Sequence, residues 1–264
     1  MELSIFQVDA FSSHVFRGNP AAICPLREWL PDETLQSIAS ENNLAETAYF
    51  VRIENRFHLR WFTPGCEVDL CGHATLASAF VLFQYLNQTG ETVYFDTKSG
   101  ELTVTRDGEL LTMDFPSRPP APITPEPGLL AAIGGNPVEV LAARDVVLVY
   151  ATEAEVSALA PDMYALTKLD HFGFIATAPG TKSDFVSRFF APAKGVPEDP
   201  VTGSAHSTLI PYWARKLGKT DLLARQISKR TGELYCKLVG DRVKIAGYAA
   251  PYLRGTISVP LPGE

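Results

Sequence analysis

Residues 71–75 (Cys-Gly-His-Ala-Thr) open the apolar run 74–86 (ATLASAFVLFQYL), and this stretch decides how the chain folds. Among the 13 residues of the run only Thr75, Ser78 and Gln84 are polar. At a rise of about 1.5 Å per residue, the run predicts a helix of roughly 20 Å, which is too short to span a bilayer. A helix without a polar face is buried inside its own domain. We therefore expect the rest of the chain to fold around it.

The N-terminus of this helix is where we expect a ligand. The first N–H groups of a helix lack intrahelical acceptors and carry the positive end of its dipole, so they attract anions. Gly72 allows a ligand to approach the backbone closely, and His73 stands in the first turn.

Bulk composition narrows the class of protein. A length of 264 residues predicts two domains, and a net charge of −7 argues against nucleic-acid and acidic-membrane partners. The first residues have no basic segment before an apolar core, so they predict a strand rather than a signal peptide. Four irregularly spaced cysteines do not resemble a disulfide framework, which favours a cytoplasmic location.

Three short motifs of the first half recur in the same order in the second half, each about 130 residues later. The pairs are Arg60-Trp-Phe-Thr-Pro with Arg188-Phe-Phe-Ala-Pro, Gly72-His-Ala with Gly203-Ser-Ala, and Gly100-Glu-Leu with Gly232-Glu-Leu. Such an internal duplication predicts two strand-rich α+β halves, each with one buried helix.

The predicted halves are residues 1–117 and 118–264, joined through the proline-rich segment 116–127. The last strand, at about 253–264, is a candidate to complete the first half. In this arrangement helix 74–86 corresponds to helix 205–217, and the two helix N-termini face an interdomain cleft, where pockets tend to form.

Four residues then become candidates for chemistry: Glu46, His73, Asp199 and Ser204. Glu46 has apolar neighbours, and a carboxyl group in apolar surroundings has a raised pKa that suits acid–base catalysis. Each residue also has an ordinary explanation. Glu46 can point outward from a half-buried strand, His73 can be a core residue, and Asp199 and Ser204 are common turn and helix-capping residues.

Taken together, the motifs that hold these residues resemble those of the PhzF-like proteins of phenazine biosynthesis. The two long signatures are LRWFTP at 59–64 followed by EVDLCGHAT at 67–75, and EDPVTGSA at 198–205. Shorter matches are VDAF at 8–11, GNPA at 18–21 and NLAET at 43–47. The resemblance implies the diaminopimelate-epimerase-like fold. That fold has two pseudosymmetric halves, each a strongly curved, mostly antiparallel sheet around a central buried helix.

The resemblance implies an isomerase of a small carboxylated, cyclic metabolite. One glutamate would shuttle a proton without metal or organic cofactor, and in this sequence it is Glu46. His73, Asp199 and Ser204 would complete the site. The substrate carboxylate would bind at the two helix N-termini, at Gly72, Ala74 and Thr75 and at Gly203 and Ala205. The family also implies a homodimer.

Three alternatives stay open at this point. A protein with the same fold can bind a ligand without catalysis. A racemase with two facing thiols would use Cys71, but the matching second-half segment 199–203 (DPVTG) contains no cysteine. A metal site built from His58, Cys66, Cys71 and His73 fits no common zinc spacing.

Overall fold

The chain divides into two compact units in the computed structural model, which describes residues 1–260. The first unit consists of Met1–Asp114 together with the segment that begins at Ala246, and the second is Phe115–Ile245. The chain thus returns to the first unit at Ala246, ahead of the strand predicted at about 253–264. Residues 261–264 of that prediction lie outside the described residues.

Most of the described chain is strand. The strands are β1 (Glu2–Ala10), β2 (Asn19–Leu26), β3 (Glu46–Ile53), β4 (Arg56–Phe62), β5 (Glu67–Val68), β6 (Thr92–Thr97), β7 (Gly100–Asp107), β8 (Leu110–Pro116), β9 (Ala121–Pro122), β10 (Glu139–Ala142), β11 (Val146–Val149), β12 (Phe174–Pro179), β13 (Phe185–Ala191), β14 (Val196–Asp199), β15 (Asp221–Gln226), β16 (Gly232–Val239), β17 (Arg242–Gly247) and β18 (Ala249–Ser258). The helices are α1 (Asp32–Asn42), α2 (Gly72–Tyr85), α3 (Leu129–Ile133), α4 (Glu153–Ala158), α5 (Met163–Leu166) and α6 (Gly203–Leu217). The predicted α+β class is confirmed.

The first unit pairs its strands in the order β18–β1–β2–β3–β4–β6–β7–β8, with β5 beside β4. The neighbouring strands β2 and β3 are parallel, and so are β4 and β6, whereas the other neighbours are antiparallel. Each parallel pair is joined through a helix, because a parallel connection must cross back along the sheet. Helix α1 connects β2 to β3, and α2 lies between β5 and β6.

The second unit repeats this pattern with the order β9–β10–β11–β12–β13–β15–β16 and with β14 beside β13. Its parallel pairs, β11–β12 and β13–β15, stand at the equivalent places. Helices α4 and α5 take the place of α1, and α6 takes the place of α2. The two units therefore share one topology, as the sequence repeats predicted.

The same ion pair occurs at equivalent positions of the two units. Arg60 on β4 binds Glu67 on β5 through two hydrogen bonds, of 2.7 and 2.9 Å. Arg188 on β13 binds Glu198 on β14 through bonds of 2.7 and 3.0 Å. Both arginine side chains are only 13% exposed. These bidentate pairs hold the short strand that leads into each central helix, which explains why the arginine motif recurs in the sequence.

Helix α2 is the buried helix predicted at 74–86, and it begins two residues earlier, at Gly72. It contacts β1, β2, β3, β7 and β18, so the strands of its unit surround it. The hydroxyl groups of Thr75 and Ser78 donate to the carbonyls four residues earlier, at 2.6 and 2.7 Å. Polar side chains can lie in this apolar helix because its own backbone accepts their hydrogen bonds.

Helix α6 is more polar, and Pro211 lies inside it. It ends at Gly218 in the left-handed conformation, with Arg215 and Lys216 favourably placed in the last turn. Within residues 1–260, no helix combines the length and the hydropathy needed to cross a membrane.

Candidate active site

Glu46 and His73 form a close pair in the first unit. Glu46 is the first residue of β3, opposite Ala21 of the parallel strand β2, and His73 lies in the first turn of α2. Oε2 of Glu46 and Nε2 of His73 are 3.2 Å apart, and the side chains are 16% and 5% exposed. The carboxylate thus faces the start of the buried helix and keeps limited access to solvent.

His73 is an uncharged imidazole at neutral pH, because burial lowers its pKa to about 3. Its two ring nitrogens contact different groups. Nε2 faces Glu46, while Nδ1 lies 3.2 Å from Nδ2 of Asn19 and 3.4 Å from Sγ of Cys71. A neutral ring carries hydrogen on only one nitrogen, so these neighbours decide which one.

Within residues 1–260, Glu46, Cys71 and His73 form the group that could hold a metal ion, because one donor atom of each lies within 4.8 Å of the other two. Nε2 of His73 faces the carboxylate and Nδ1 faces the thiol. A reaction without metal is therefore part of the proposal below. Of the cysteines and histidines weighed from the sequence, Cys66 is exposed and bonds to Thr63.

Asp199, at the end of β14, takes part in a network of the second unit. The Thr202 hydroxyl donates to Oδ2 of Asp199 at 2.5 Å. The fully buried Gln226 donates from Nε2 to the Asp199 carbonyl at 2.8 Å and to the Thr202 hydroxyl at 3.1 Å. Its Oε1 accepts the N–H of Thr202 at 2.8 Å. Gln226 and Thr202 together fix the position of the Asp199 carboxylate.

Ser204 is half-buried in the first turn of α6, at the position equivalent to His73 in α2. His206 lies behind it and is fully buried. Nδ1 of His206 is 2.8 Å from the carbonyl of Thr202, to which it donates. Burial lowers the pKa of His206 to about 4.

The predicted anion-binding residues occupy the first turns of both central helices. Gly72 and Gly203 are the first helical residues, and Ala74 and Ala205 are buried beside them. Thr75 directs both its N–H and its hydroxyl to the Cys71 carbonyl, so its two donors serve the helix itself.

The structure thus brings together Glu46 with His73 in the first unit, and places Asp199 and Ser204 at the start of α6 in the second. That all four act in one cleft stays a prediction. Asn19 and Gln226 were not among the residues singled out from the sequence. The GNPA segment at 18–21 carried a signal for Asn19, whereas Gln226 lies in no motif.

The chain has a fold that is also found in epimerases. A hydroxyproline epimerase from Agrobacterium vitis superposes with a TM-score of 0.62 at 11% identity, covering 97% of this chain and 92% of that one. At this identity the likeness concerns the fold alone.

Among proteins with this fold, the chain belongs to the phenazine biosynthesis-like protein family (PhzC-PhzF), whose model matches residues 8–255. A Pseudomonas aeruginosa protein named as an uncharacterized isomerase is 53% identical over 257 residues, which are 97% of this chain and 99% of that protein. The crystal structure of a PhzF-family phenazine biosynthesis protein from Enterococcus faecalis has a TM-score of 0.96 at 46% identity. That match covers 98% of this chain and 100% of the other.

Proposed function

We propose that this protein is an isomerase that moves a proton within a small carboxylated, cyclic metabolite, with Glu46 as the only proton-transfer group. The observation that carries the proposal is the pair of Glu46 and His73, in which a half-buried carboxylate lies 3.2 Å from a neutral imidazole. Family membership and the isomerase name of a close relative support the same class of reaction.

In the proposed reaction, Glu46 removes a proton from a carbon beside a conjugated π-system of the ring. The C–H electron pair forms a new π-bond, the adjacent π-electrons shift along the ring, and a carbon further along takes the proton back from Glu46. Substrate and product have the same atoms and electrons, so the step needs no oxidant or reductant. One carboxyl group is sufficient for both transfers, and we propose that no metal or organic cofactor takes part.

His73 orients the base in this scheme. Nε2 of His73 and Oε2 of Glu46 lie 3.2 Å apart without the alignment of a hydrogen bond. In the proposed reaction Nε2–H donates to this oxygen, which leaves the second oxygen of the carboxylate for proton transfer. The substrate carboxylate binds at the first turns of α2 and α6, where backbone N–H groups and helix dipoles favour an anion. The proposal requires Asp199 and Ser204 to contact the same substrate molecule as Glu46.

The test is deuterium incorporation from D₂O into a panel of cyclic carboxylates, followed by mass spectrometry or NMR. Glu46→Gln preserves size but removes the base, so we expect exchange to fall by about 10⁴ or more, the upper end of the range for acid–base groups. Glu41→Gln, on the exposed side of α1, is the matched control and should exchange normally. Full exchange by Glu46→Gln would refute the assignment, and activity lost to a chelator would refute the cofactor-free reaction.

Two alternative functions would give different results in this exchange experiment. A non-catalytic binding protein would bind cyclic carboxylates without exchanging their hydrogens. A two-thiol racemase would need a second thiol where Thr202 stands, but the Thr202 hydroxyl donates to Asp199. Exchange that depends on Glu46 separates the proposed isomerase from both.

We also propose a cytoplasmic location, in which thiols stay reduced. Cys24 and Cys236 are buried without disulfide partners, in agreement with a reducing environment.

A further inference from the structure

Asn19 is a fully buried amide beside the imidazole of His73. It is 0% exposed and begins β2, and its Nδ2 lies 3.2 Å from Nδ1 of His73, a residue 54 positions away in sequence. The mechanism described above uses Nε2 of His73 and leaves Nδ1 without a role. Through Nδ1, the protein can therefore fix the state of the imidazole that faces Glu46.

The backbone fixes Asn19 firmly. Asn19 pairs with Ala10 of the neighbouring strand β1. The preceding Gly18 has φ of +64°, and a Cβ built on it would lie 2.1 Å from the carbonyl oxygen of Ala10. Only glycine fits at position 18, because any side chain would meet both a disfavoured conformation and a backbone atom. Asn19 thus reaches the imidazole from a rigid strand end.

The contact between the Asn19 amide and Nδ1 determines which tautomer His73 adopts. An amide NH₂ group only donates hydrogen bonds, so Nδ1 must accept, and the single hydrogen of the neutral ring then lies on Nε2. Nε2 of His73 lies 3.2 Å from Oε2 of Glu46, close but without the alignment of a hydrogen bond. An ionised carboxylate is an acceptor, so a hydrogen on Nε2 also makes this close approach favourable. The donor at Nδ1 and the acceptor near Nε2 therefore favour the same tautomer.

The other titratable groups agree with this assignment. Among residues 1–260, the titratable side chains recorded in contact with the His73 ring are Glu46 on β3 and Cys71 before α2. A thiol at 3.4 Å from Nδ1 can donate to a bare nitrogen. With the opposite amide orientation, Nδ1 would carry the hydrogen and a bare Nε2 would face the Glu46 carboxylate, which is a repulsive contact.

We propose that Asn19 is a positioning residue that holds the hydrogen of His73 on Nε2, so that the imidazole donates to Glu46 and keeps this carboxylate aligned as the base. The tautomer itself follows from the contacts of Asn19, Glu46 and His73. Only the importance of this tautomer for catalysis rests on the proposed function.

The first test is the ¹⁵N NMR spectrum of the wild-type protein labelled at its five histidines. We expect His73 to show a protonated Nε2 and a bare Nδ1, unchanged from pH 5 to pH 8. His206 is the internal reference, because its Nδ1 faces a backbone carbonyl and must carry the hydrogen. His73→Gln and His206→Gln assign the two signals. A hydrogen on Nδ1 of His73 in the wild type would overturn the proposal.

The second test is Asn19→Asp, which keeps the shape but replaces the NH₂ donor with an acceptor. The ring would then lie between two carboxylates, so we expect Nδ1 to gain a hydrogen and His73 to become doubly protonated at pH 6. Asn19→Ala should instead raise the population of the tautomer with hydrogen on Nδ1 above its wild-type level, while the Glu46 carboxylate still favours hydrogen on Nε2. A spectrum of His73 that is unaffected by either substitution would overturn the proposal. Should both variants fail to fold, the wild-type tautomer still decides.

The catalytic consequence is measured separately. Once an exchanged substrate is known, Asn19→Ala should lower kcat about tenfold or more and leave KM within about twofold, since Asn19 acts through His73 and not on the substrate. Absence of any Glu46-dependent exchange, together with the expected tautomer, would refute the proposed function alone. The expected tautomer with unchanged kcat in Asn19→Ala would refute the positioning role alone.

Discussion

Cys71 is the residue that best separates one-base from thiol chemistry. Its sulfur lies 3.4 Å from the His73 ring, and the residue is buried at the N-cap of α2. In the proposed mechanism this thiol packs behind the base and moves no proton. We therefore predict that Cys71→Ser retains exchange within about fivefold of the wild type, while Glu46→Gln loses at least about 10⁴. The assay is deuterium incorporation at saturating substrate.

The opposite ranking would contradict the assignment of the base. If Cys71→Ser abolished exchange and Glu46→Gln retained it, the thiol would be the proton-transfer group. Cys236→Ser is the matched control, because Cys236 is also buried. It should leave exchange unchanged.

His206 makes the stability of the protein depend on pH. Burial lowers its pKa to about 4 in the folded protein, from the value of 6.5 that is usual for a solvated histidine. Between these values the unfolded chain binds a proton that the folded one does not, so the free energy of unfolding falls as the pH falls. From pH 6.5 to pH 5 this amounts to about 2 kcal/mol for one such group.

We therefore predict that His206→Gln makes the free energy of unfolding less dependent on pH between 6.5 and 5. Urea titrations at several pH values measure this slope, and His73 should supply a similar slope that the variant retains. His14→Gln, at an exposed histidine, is the control. Equal slopes for His206→Gln and the wild type would contradict the prediction.

The catalytic candidates Glu46 and His73 could be predicted from sequence, whereas the contacts of the residues that support the site could not. Motif resemblance pointed to both members of the pair. Asn19 and Gln226 act through contacts over 54 and 24 residues of chain, to His73 and Thr202 respectively. Their role depends on which side chain lies opposite in the folded sheet. A single sequence contains no periodicity or spacing that reports such a contact.

At the scale of elements, the turn between β1 and β2 places Asn19 beside His73, and Gly18 lies in this turn. We predict that Gly18→Ala lowers the free energy of unfolding by at least about 2 kcal/mol, since it adds a strained φ and a contact with the Ala10 carbonyl. Gly108→Ala is the matched control, with a similar φ of +59° but no atom within 4 Å of the added Cβ. It should cost about 1 kcal/mol.

Urea denaturation of both variants measures the difference, and the ¹⁵N spectrum of His73 shows whether Asn19 has shifted. Equal losses for Gly18→Ala and Gly108→Ala would mean that the close approach to Ala10 does not constrain the turn.

The elements predicted well are those with a clear pattern. The buried helix of the first unit was predicted at 74–86 from its apolar run, and in the structure α2 begins two residues earlier, at Gly72. The second unit was predicted less completely. Strand β11 is buried along its whole length and shows no alternation of polar residues. Helices α3, α4 and α5 have only five, six and four residues, too few for a helical period to be recognised.

At the scale of the whole molecule, duplication explains why two units of different sequence share one topology. The bidentate pairs Arg60–Glu67 and Arg188–Glu198 and the two central helices are retained in both. The residues at the helix starts have diverged, with Cys71 and His73 in one unit and Thr202 and Ser204 in the other. We infer that the scaffold was kept while the two helix N-termini took different chemical roles.

The last prediction concerns assembly. Strand β18 ends the strand order of the first unit and pairs with β1. Tyr252 and Leu253 on this strand are 50% and 43% exposed, and Phe16, which is 68% exposed, packs edge-to-face with Tyr252 at 5.7 Å. Clustered apolar side chains beside a strand are typical of an association surface, and a symmetric dimer is the commonest way to cover one. We therefore predict a homodimer, with a mass in sedimentation equilibrium of twice 28.8 kDa at micromolar concentration.

Association through apolar contacts should persist at about 0.5 M salt, because salt screens charge pairs but does not weaken the burial of apolar surface. A monomeric mass under these conditions would contradict the prediction.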